Sequence, residues 1–74
     1  MLIRSQDRKS NTDDMNLYIC ESTNNNFSIC NAKTGNLGEY STEAKAIKVL
    51  DMISEYYFKK DQSFNMPQDE EVEA

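Results

Sequence analysis

The fold is decided by the stretch from residue 17 to residue 30, which reads LYICESTNNNFSIC. Its two halves alternate between apolar and polar residues, which is the period of a β-strand with one buried face. The odd-numbered apolar positions are Leu17, Ile19, Phe27 and Ile29. The three asparagines between the halves tolerate left-handed backbone conformations, so a tight connection is expected there. The stretch therefore predicts a β-hairpin.

The register of this hairpin follows from parity, because residues directly opposite one another lie on the same face of a sheet. For the four apolar residues to share a face, the numbers of opposed residues must add up to an even number. Pairing Thr23 with Phe27 meets this condition and also places Cys20 opposite Cys30. A slip by one residue would carry the apolar side chains to the other face.

A single helix is predicted after the hairpin. Ser41 can cap free backbone N–H groups at its start, and Glu43 favours the positive end of the helix dipole. Apolar residues follow at helical spacing as far as Tyr57, and charged residues occupy the opposite stripe. We expect this helix to run from about residue 42 to about residue 60.

Shorter elements flank these two. Residues 1–5 indicate a first strand, and residues 6–14 are polar and indicate a loop. Residues 37–40 indicate another strand, in which Gly38 marks a bulge or a close approach of two chain segments. Residues 62–66 indicate a last short strand that ends before a proline.

These elements predict an α+β fold, with one long helix packed on a small, mainly antiparallel sheet of three to five strands. Residues 1–67 would form a single domain, and residues 68–74 an acidic, disordered tail. The expected core consists of Leu2 or Ile3, Leu17, Ile19, Phe27, Ile29, Leu37, Ile47, Leu50, Ile53 and Tyr57. A domain of this size buries only about 60% of its unfolded surface, so a homodimer formed through an exposed sheet edge would add needed burial.

The charge is unevenly distributed along the chain. Eight Lys and Arg residues stand against thirteen Asp and Glu residues, for a net charge of −5. Four of the acidic residues lie in the last six positions, so the rest of the chain carries eight positive and nine negative charges and has a net charge of −1. Direct binding to nucleic acid is not expected from a body so close to neutral.

Catalysis is not expected from this composition either. The chain has no histidine, and its two glycines do not form a phosphate-binding loop. Two cysteines without a histidine cannot complete a tetrahedral zinc site within one chain, so no metal and no cofactor are expected. Cys20 and Cys30 are expected to be free thiols, and the alternative is a cross-strand disulfide or a redox switch. A signal peptide and an apolar run of the roughly 20 residues that span a bilayer are both absent from the sequence, which predicts a cytoplasmic location.

Three segments carry a resemblance to a known family. Residues 37–53, LGEYSTEAKAIKVLDMI, resemble a family of small proteins encoded by phages and prophages of Gram-positive bacteria. The opening MLIRSQD and residues 64–70, FNMPQDE, are similar to the family in the same order. Members carry a hydrophobic strand after the opening segment, whereas residues 8–14 are polar in this chain. The resemblance transfers no site residues, and it implies the cytoplasm of a bacterial host as the setting.

The resemblance also implies a role. Short, acidic phage proteins without enzymatic activity often block host defence proteins, including CRISPR nucleases, by covering nucleic-acid-binding or nuclease surfaces. An anti-CRISPR-type inhibitor of a type II CRISPR nuclease is therefore the expected function, with carboxylates facing Lys and Arg side chains of the host protein. The candidate partner-binding residues are Glu39, Glu43, Asp51, Glu55, Tyr56, Asp69, Glu70 and Glu71. The alternatives are a homodimeric regulatory module and a nucleic-acid-associated accessory factor using Arg4, Arg8, Lys9, Lys45 and Lys48.

Overall fold

The structure, a computed structural model, describes residues 1–22 and 24–73. The strands are β1 (Leu2–Arg4), β2 (Asn11–Thr12), β3 (Leu17–Glu21), β4 (Phe27–Asn31), β5 (Gly35–Tyr40) and β6 (Ser63–Asn65). The helix α1 (Glu43–Phe58) lies between β5 and β6, and a short 3-10 helix, η1 (Asp69–Glu71), follows β6. The α+β class is confirmed, but the strands of the described residues form two sheets of three rather than one.

The hairpin sheet, with strand order β3-β4-β5, is antiparallel throughout. The predicted parity is confirmed, because Ile19 lies directly opposite Ile29. The predicted register is shifted by two residues: Phe27 lies opposite Glu21, and Thr23 falls outside the described residues. The connection is longer because Ser22 closes it, its backbone N–H and its hydroxyl both donating to the carbonyl of Asn26 at 2.8 and 3.0 Å.

The shifted register corrects the prediction for the two cysteines. Cys20 lies opposite Ser28, and Cys30 lies opposite Tyr18, so the cysteines are diagonal neighbours on one face. Both thiols are free, with Cys20 exposed and Cys30 half-buried. Burial, followed by the proximity of Cys20, raises the pKa of the Cys30 thiol, which keeps it in the less reactive protonated form.

A bulge in β5 lies where Gly38 predicted one. Ile29 pairs with Gly38 and Cys30 pairs with Asn36, so Leu37 is an extra residue on the β5 side. A Cβ atom added to Gly38 would stand 3.1 Å from the Cε of Met66 and 3.2 Å from the hydroxyl of Tyr40. The predicted close approach is therefore also present.

The terminal sheet, with strand order β2-β1-β6, joins the two ends of the chain. Strand β1 pairs in parallel with β6, so that Ile3 lies opposite Phe64, and pairs antiparallel with β2. The prediction of a continuous loop over residues 6–14 is wrong at Asn11 and Thr12, which form β2. Two polar residues can act as a strand here because Thr12, although polar, is buried against β1.

Helix α1 begins one residue later and ends two residues earlier than predicted. Thr42, not Ser41, is the N-cap, and its side chain accepts a hydrogen bond from the backbone N–H of Lys45 at 3.1 Å. Past the C-cap Lys59, Lys60 takes a left-handed conformation with φ of 60°, which stops the helix. The helix buries Ala46, Val49 and Ile53.

Ile47 and Tyr57 were predicted to be in the core, but they are 46% and 52% exposed. The buried face of the helix carries Ala46, Val49 and Ile53, so Ile47 lies well to one side of it around the helix, and Tyr57 lies in the last turn. A single hydrophobic cluster holds the helix and both sheets together. Its buried members are Ile3, Ile29, Leu37, Tyr40, Ala46, Val49, Ile53, Phe64, Met66 and Val72. Leu17, Ile19, Phe27 and Leu50 pack against it half-buried, so the predicted hairpin face does turn toward the helix side.

The C-terminal segment, residues 68–73, differs from the disordered tail that the composition predicted. Asp69–Glu71 form η1, and Val72 is buried in the common core. An acidic composition favours disorder because it offers little apolar surface to bury. Here one valine and several hydrogen bonds from distant residues supply the contacts that the composition does not reveal.

Candidate protein-binding surface

The N-terminal turn is tied to β5 and to the C-terminal end of the chain by Gln6. The backbone N–H of Gln6 donates to the carbonyl of Leu37 at 2.6 Å. Its side-chain amide donates to the carbonyls of Glu39 and Pro67 at 3.2 and 3.1 Å and accepts from the N–H of Glu39 at 3.0 Å. The side chain of Gln68 completes the group by donating to the carbonyl of Gln6 at 2.8 Å. Three segments far apart in sequence therefore meet at one half-buried side chain.

A second tie between β5 and the C-terminal end is made by Tyr40. Its side chain is buried, and its hydroxyl donates to the carbonyl of Pro67 at 2.8 Å. Burial raises the pKa of the Tyr40 phenol, so the hydroxyl stays protonated and remains a donor. The N-terminal turn, β5 and the segment after β6 thus meet in one network of hydrogen bonds.

Asp69 joins the C-terminal segment to the start of the helix. Its Oδ1 accepts hydrogen bonds from the backbone N–H and the hydroxyl of Ser41, at 2.8 and 3.1 Å. The Nζ of Lys45 lies 3.5 Å from Oδ2 and donates to the backbone carbonyl of Asp69 at 3.1 Å. The bonds from Ser41, and then the positive charge of Lys45, lower the pKa of the Asp69 carboxyl below its ordinary value. This use of Ser41 explains why the helix cap falls to Thr42.

The remaining contacts fix the direction in which the segment runs. The Nζ of Lys48 donates to the backbone carbonyl of Glu73 at 2.6 Å. Within the segment, the carboxylate of Glu71 accepts from the backbone N–H of Gln68 at 2.8 Å. Lys45 and Lys48 are one helical turn apart, so the segment lies along this side of the helix.

The structure brings five of the eight candidate residues together in what we call the acidic end of the molecule. Each of them lies within two residues of the Ser41–Asp69 contact, either in β5, in the first turn of α1 or in η1. The five residues are Glu39, Glu43, Asp69, Glu70 and Glu71. Glu43, Glu70 and Glu71 are exposed, whereas Glu39 and Asp69 are partly covered.

Two more candidates, Asp51 and Glu55, lie on the solvent side of the helix, away from the acidic end. Asp51 and Glu55 follow Glu43 by eight and twelve residues, so they lie on the same ridge of the helix, about 12 Å and about 18 Å from Glu43 along the helix axis. The same side of the helix also carries Ile47 and Phe58, which are 46% and 81% exposed. The helix therefore presents acidic and apolar side chains together to solvent.

Tyr56, the eighth candidate, does not join these residues. Its ring packs edge-to-face on the ring of Phe64, with centroids 4.9 Å apart, so it supports β6 and is only partly exposed.

The surface formed by the described residues includes two shallow depressions. One, of about 540 Å3, lies past the C-terminal end of the helix and is lined mainly by Met1, Tyr57 and Phe58. The other, of about 320 Å3, is polar and lies between Asp7 and Glu39 beside Gly38. In the part of the chain that the structure describes, no group of three or more side chains could hold a metal ion, and no helix is long and apolar enough to cross a membrane.

The sequence did not reveal the Ser41–Asp69 contact or the exposure of Ile47. A possible signal for the first was the surplus of candidate helix caps, since Ser41 and Thr42 stand side by side and only one can be the N-cap. Comparisons with protein-family models, with curated proteins and with solved structures found no match for this chain.

Proposed function

We propose that this chain is a phage- or prophage-encoded protein that binds and inhibits a host defence protein by covering a surface lined with Lys and Arg side chains. The target we propose is a type II CRISPR nuclease, whose guide and target strands lie in a positively charged channel. The observation that carries this proposal is the acidic end. Six acidic residues, the five named above and Glu73, lie on segments that meet beside the helix, where the carboxylate of Asp69 contacts Lys45 and the backbone carbonyl of Glu73 accepts from Lys48.

The fixed backbone of the segment that carries four of these acidic residues supports the proposal. Binding a disordered tail would require its backbone and side chains to be ordered, which opposes association. Here Asp69 and Val72 already hold the C-terminal segment on the body of the protein. A preformed acidic surface both attracts a cationic partner at long range and fits it with a smaller loss of entropy.

The side of the helix that faces solvent provides a second part of the same interface. Asp51 and Glu55 extend the negative charge beyond the acidic end. Phe58 and Ile47 are the kind of exposed apolar side chain that anchors protein interfaces, because their burial contributes most of the binding free energy. The electrostatic part would set the rate and orientation of binding, and the apolar part the lifetime of the complex.

Nucleic-acid binding by this chain is a weaker alternative. Of the basic residues that it would use, Lys45 and Lys48 donate to the backbone of the C-terminal segment. Arg4 donates to the side chain of Asn11 at 3.3 Å. A phosphate approaching these groups would also meet the carboxylates beside them.

The proposal is tested by measuring the affinity of the chain for a purified type II CRISPR nuclease without guide RNA, at low, physiological and high salt. We expect binding that weakens steeply with salt and competes with guide RNA. Neutralising two exposed acids, by Glu43→Gln with Glu70→Gln, should weaken it by about 5- to 30-fold at low salt.

The matched control is the pair Asp13→Asn with Asp61→Asn. These two exposed residues lie outside the acidic end, and the variant has the same net charge. It should bind with nearly unchanged affinity. Equal losses in both variants, or an affinity that does not change with salt, would contradict an interface at the acidic end. A gel shift of free DNA or RNA at physiological salt would favour the nucleic-acid alternative.

A further inference from the structure

Strand β3 is the edge of the hairpin sheet that remains open. On the opposite edge, β5 is covered by Gln6, whose backbone and side chain bond to Leu37 and Glu39. In the terminal sheet, the edge strands β2 and β6 have only two and three residues. Within the described residues, β3 is thus the longest edge that nothing covers, with five residues and neither proline nor lysine to discourage pairing.

The backbone groups that β3 directs outward can be identified from the hairpin connection. Ser22 donates to Asn26 across the hairpin, and pairs that exchange hydrogen bonds alternate along an antiparallel ladder. The backbone N–H and C=O groups of Tyr18 and Cys20 therefore point toward β4. The outward groups are those of Leu17, Ile19 and Glu21. Among the bonds between described residues, one uses an outward group: the N–H of Leu17 donates to the carbonyl of Met15 at 2.9 Å.

We propose that two copies of this chain associate through β3, in antiparallel pairing about a two-fold axis at Ile19. Ile19 of each copy would exchange two backbone hydrogen bonds with Ile19 of the other. The N–H of each Glu21 would donate to the carbonyl of Leu17 in the other copy. These four bonds would join the two hairpin sheets into one sheet of six strands, with the same surface used by both copies.

The side chains of β3 favour a second copy over an unrelated strand. In this register Tyr18 lies opposite Cys20 of the other copy on the exposed face, a favourable contact between a ring and a sulfur atom. On the other face the half-buried Ile19 meets its counterpart at the axis, and the half-buried Leu17 lies opposite the aliphatic part of Glu21 of the other copy and diagonal to its Ile19.

Charge does not oppose this pairing. The single charge in β3 is that of Glu21 at its end. In the dimer the two Glu21 side chains would be about 14 Å apart along the strands, which is more than the Debye length of about 8 Å at physiological salt. The dimer uses no residue of the acidic end, so a test of the dimer is independent of a test of the proposed inhibitory function.

The first test is the molecular mass in solution, measured by sedimentation from micromolar to millimolar concentration. We expect the mass to rise with concentration from 8.5 kDa toward twice that value. Ile19→Pro removes the outward N–H without removing a bond to β4, and it should abolish the rise. Ile19→Ala is the matched control, since it loses the same side-chain contacts but keeps the N–H, and it should still dimerise.

A second test does not depend on how well the proline variant folds. In a background of Cys20→Ser and Cys30→Ser, Ile19→Cys should form a disulfide between two copies when oxidised glutathione accepts the two electrons and two protons of the thiols. Asn24→Cys in the same background, in the hairpin connection, is the control and should not cross-link efficiently. A monomer at every concentration, a dimer that persists in Ile19→Pro, or equal cross-linking at both positions would overturn the proposal.

Discussion

The hairpin sheet is built from neighbours along the chain, whereas the terminal sheet joins residues from its two ends. In the hairpin sheet each strand follows the previous one through a short connection. In the terminal sheet Leu2 pairs with Ser63, and the C-terminal segment packs next to both sheets. Alternation of apolar and polar residues predicts the pairing of neighbouring strands in the hairpin sheet. It does not predict the pairing in the terminal sheet, whose strands have only two or three residues.

The two sheets nevertheless depend on one core, and large-to-small substitutions can show this. Ile29 in the hairpin sheet and Ile3 in the terminal sheet are both fully buried. Ile29→Ala and Ile3→Ala should each lower the free energy of unfolding by about 3 kcal/mol, because each leaves a cavity in the common cluster. Urea unfolding followed by circular dichroism measures both losses.

The control for this pair is Ile47→Ala. Because Ile47 is half-exposed on the helix, this substitution should lower the free energy of unfolding by less than about 1 kcal/mol. Two results would contradict a single cooperative unit. One is a loss of unfolding free energy in Ile3→Ala as small as that in the control. The other is unfolding of the terminal sheet in Ile3→Ala while the hairpin sheet stays folded.

Gln6 is the polar connection between the two regions, and removing it should have the next largest effect. Gln6→Ala deletes the side-chain bonds to Glu39 and Pro67 while leaving the backbone bond to Leu37. We expect a loss of about 1–3 kcal/mol. Hydrogen exchange should quicken at β1, β6 and Glu39 more than at β3 and β4. The control is Gln62→Ala at an exposed site, and equal effects of the two substitutions would contradict the bridging role.

Gly38 offers a smaller and more specific test, at a point where β5 lies close to Met66, which follows β6. Gly38→Ala places a methyl group against Tyr40 and Met66, and because Tyr40 is held by its bond to Pro67, mainly Met66 must move. The expected loss is about 1 kcal/mol, with changed NMR shifts for both neighbours.

Gly35→Ala is the contrasting change at the other glycine. Gly35 has a φ of +81° and open space around it, so alanine there strains only the backbone. It should leave the shifts of Tyr40 and Met66 unaltered. Disturbance of Tyr40 by Gly35→Ala but not by Gly38→Ala would contradict the close packing at Gly38.

The same comparison shows how far the sequence could predict this protein. The hairpin, the helix, the last strand and the consequence of Gly38 follow from local patterns. The register could not be predicted, because the hydrogen bonds of Ser22 to Asn26 go with a connection of five residues, 22–26, in place of the predicted three. The exposure of Ile47 depends on which face of the helix turns toward the sheets, and helical periodicity alone does not determine that when apolar residues lie on more than one side.

The candidate surface was predicted by composition and corrected by tertiary contacts. Sequence analysis identified the acidic residues but placed the last of them on a disordered tail. The contact that gathers them joins Ser41 to Asp69 across 28 positions, and nothing local to either residue indicates it. Asp51 and Glu55 lie farther along the exposed side of the helix, in the second part of the proposed interface, and Tyr56 packs on Phe64 instead.

The central claim is that Asp69 fixes the C-terminal segment beside Ser41 and so creates the acidic end. A pH titration of the Ser41 amide, followed by NMR together with backbone order parameters for residues 68–73, tests it most directly. Because the pKa of Asp69 is lowered from its ordinary value of 3.8, its contribution to stability is present above that pH and is lost as the pH falls through the lower, folded-state pKa.

We expect the Ser41 amide shift to titrate with a midpoint below 3.8, to stop titrating in Asp69→Asn, and order parameters near 0.85 through the segment. An Asp69 midpoint at its ordinary value, with order parameters below about 0.6 for residues 68–73, would show a free tail and contradict the account.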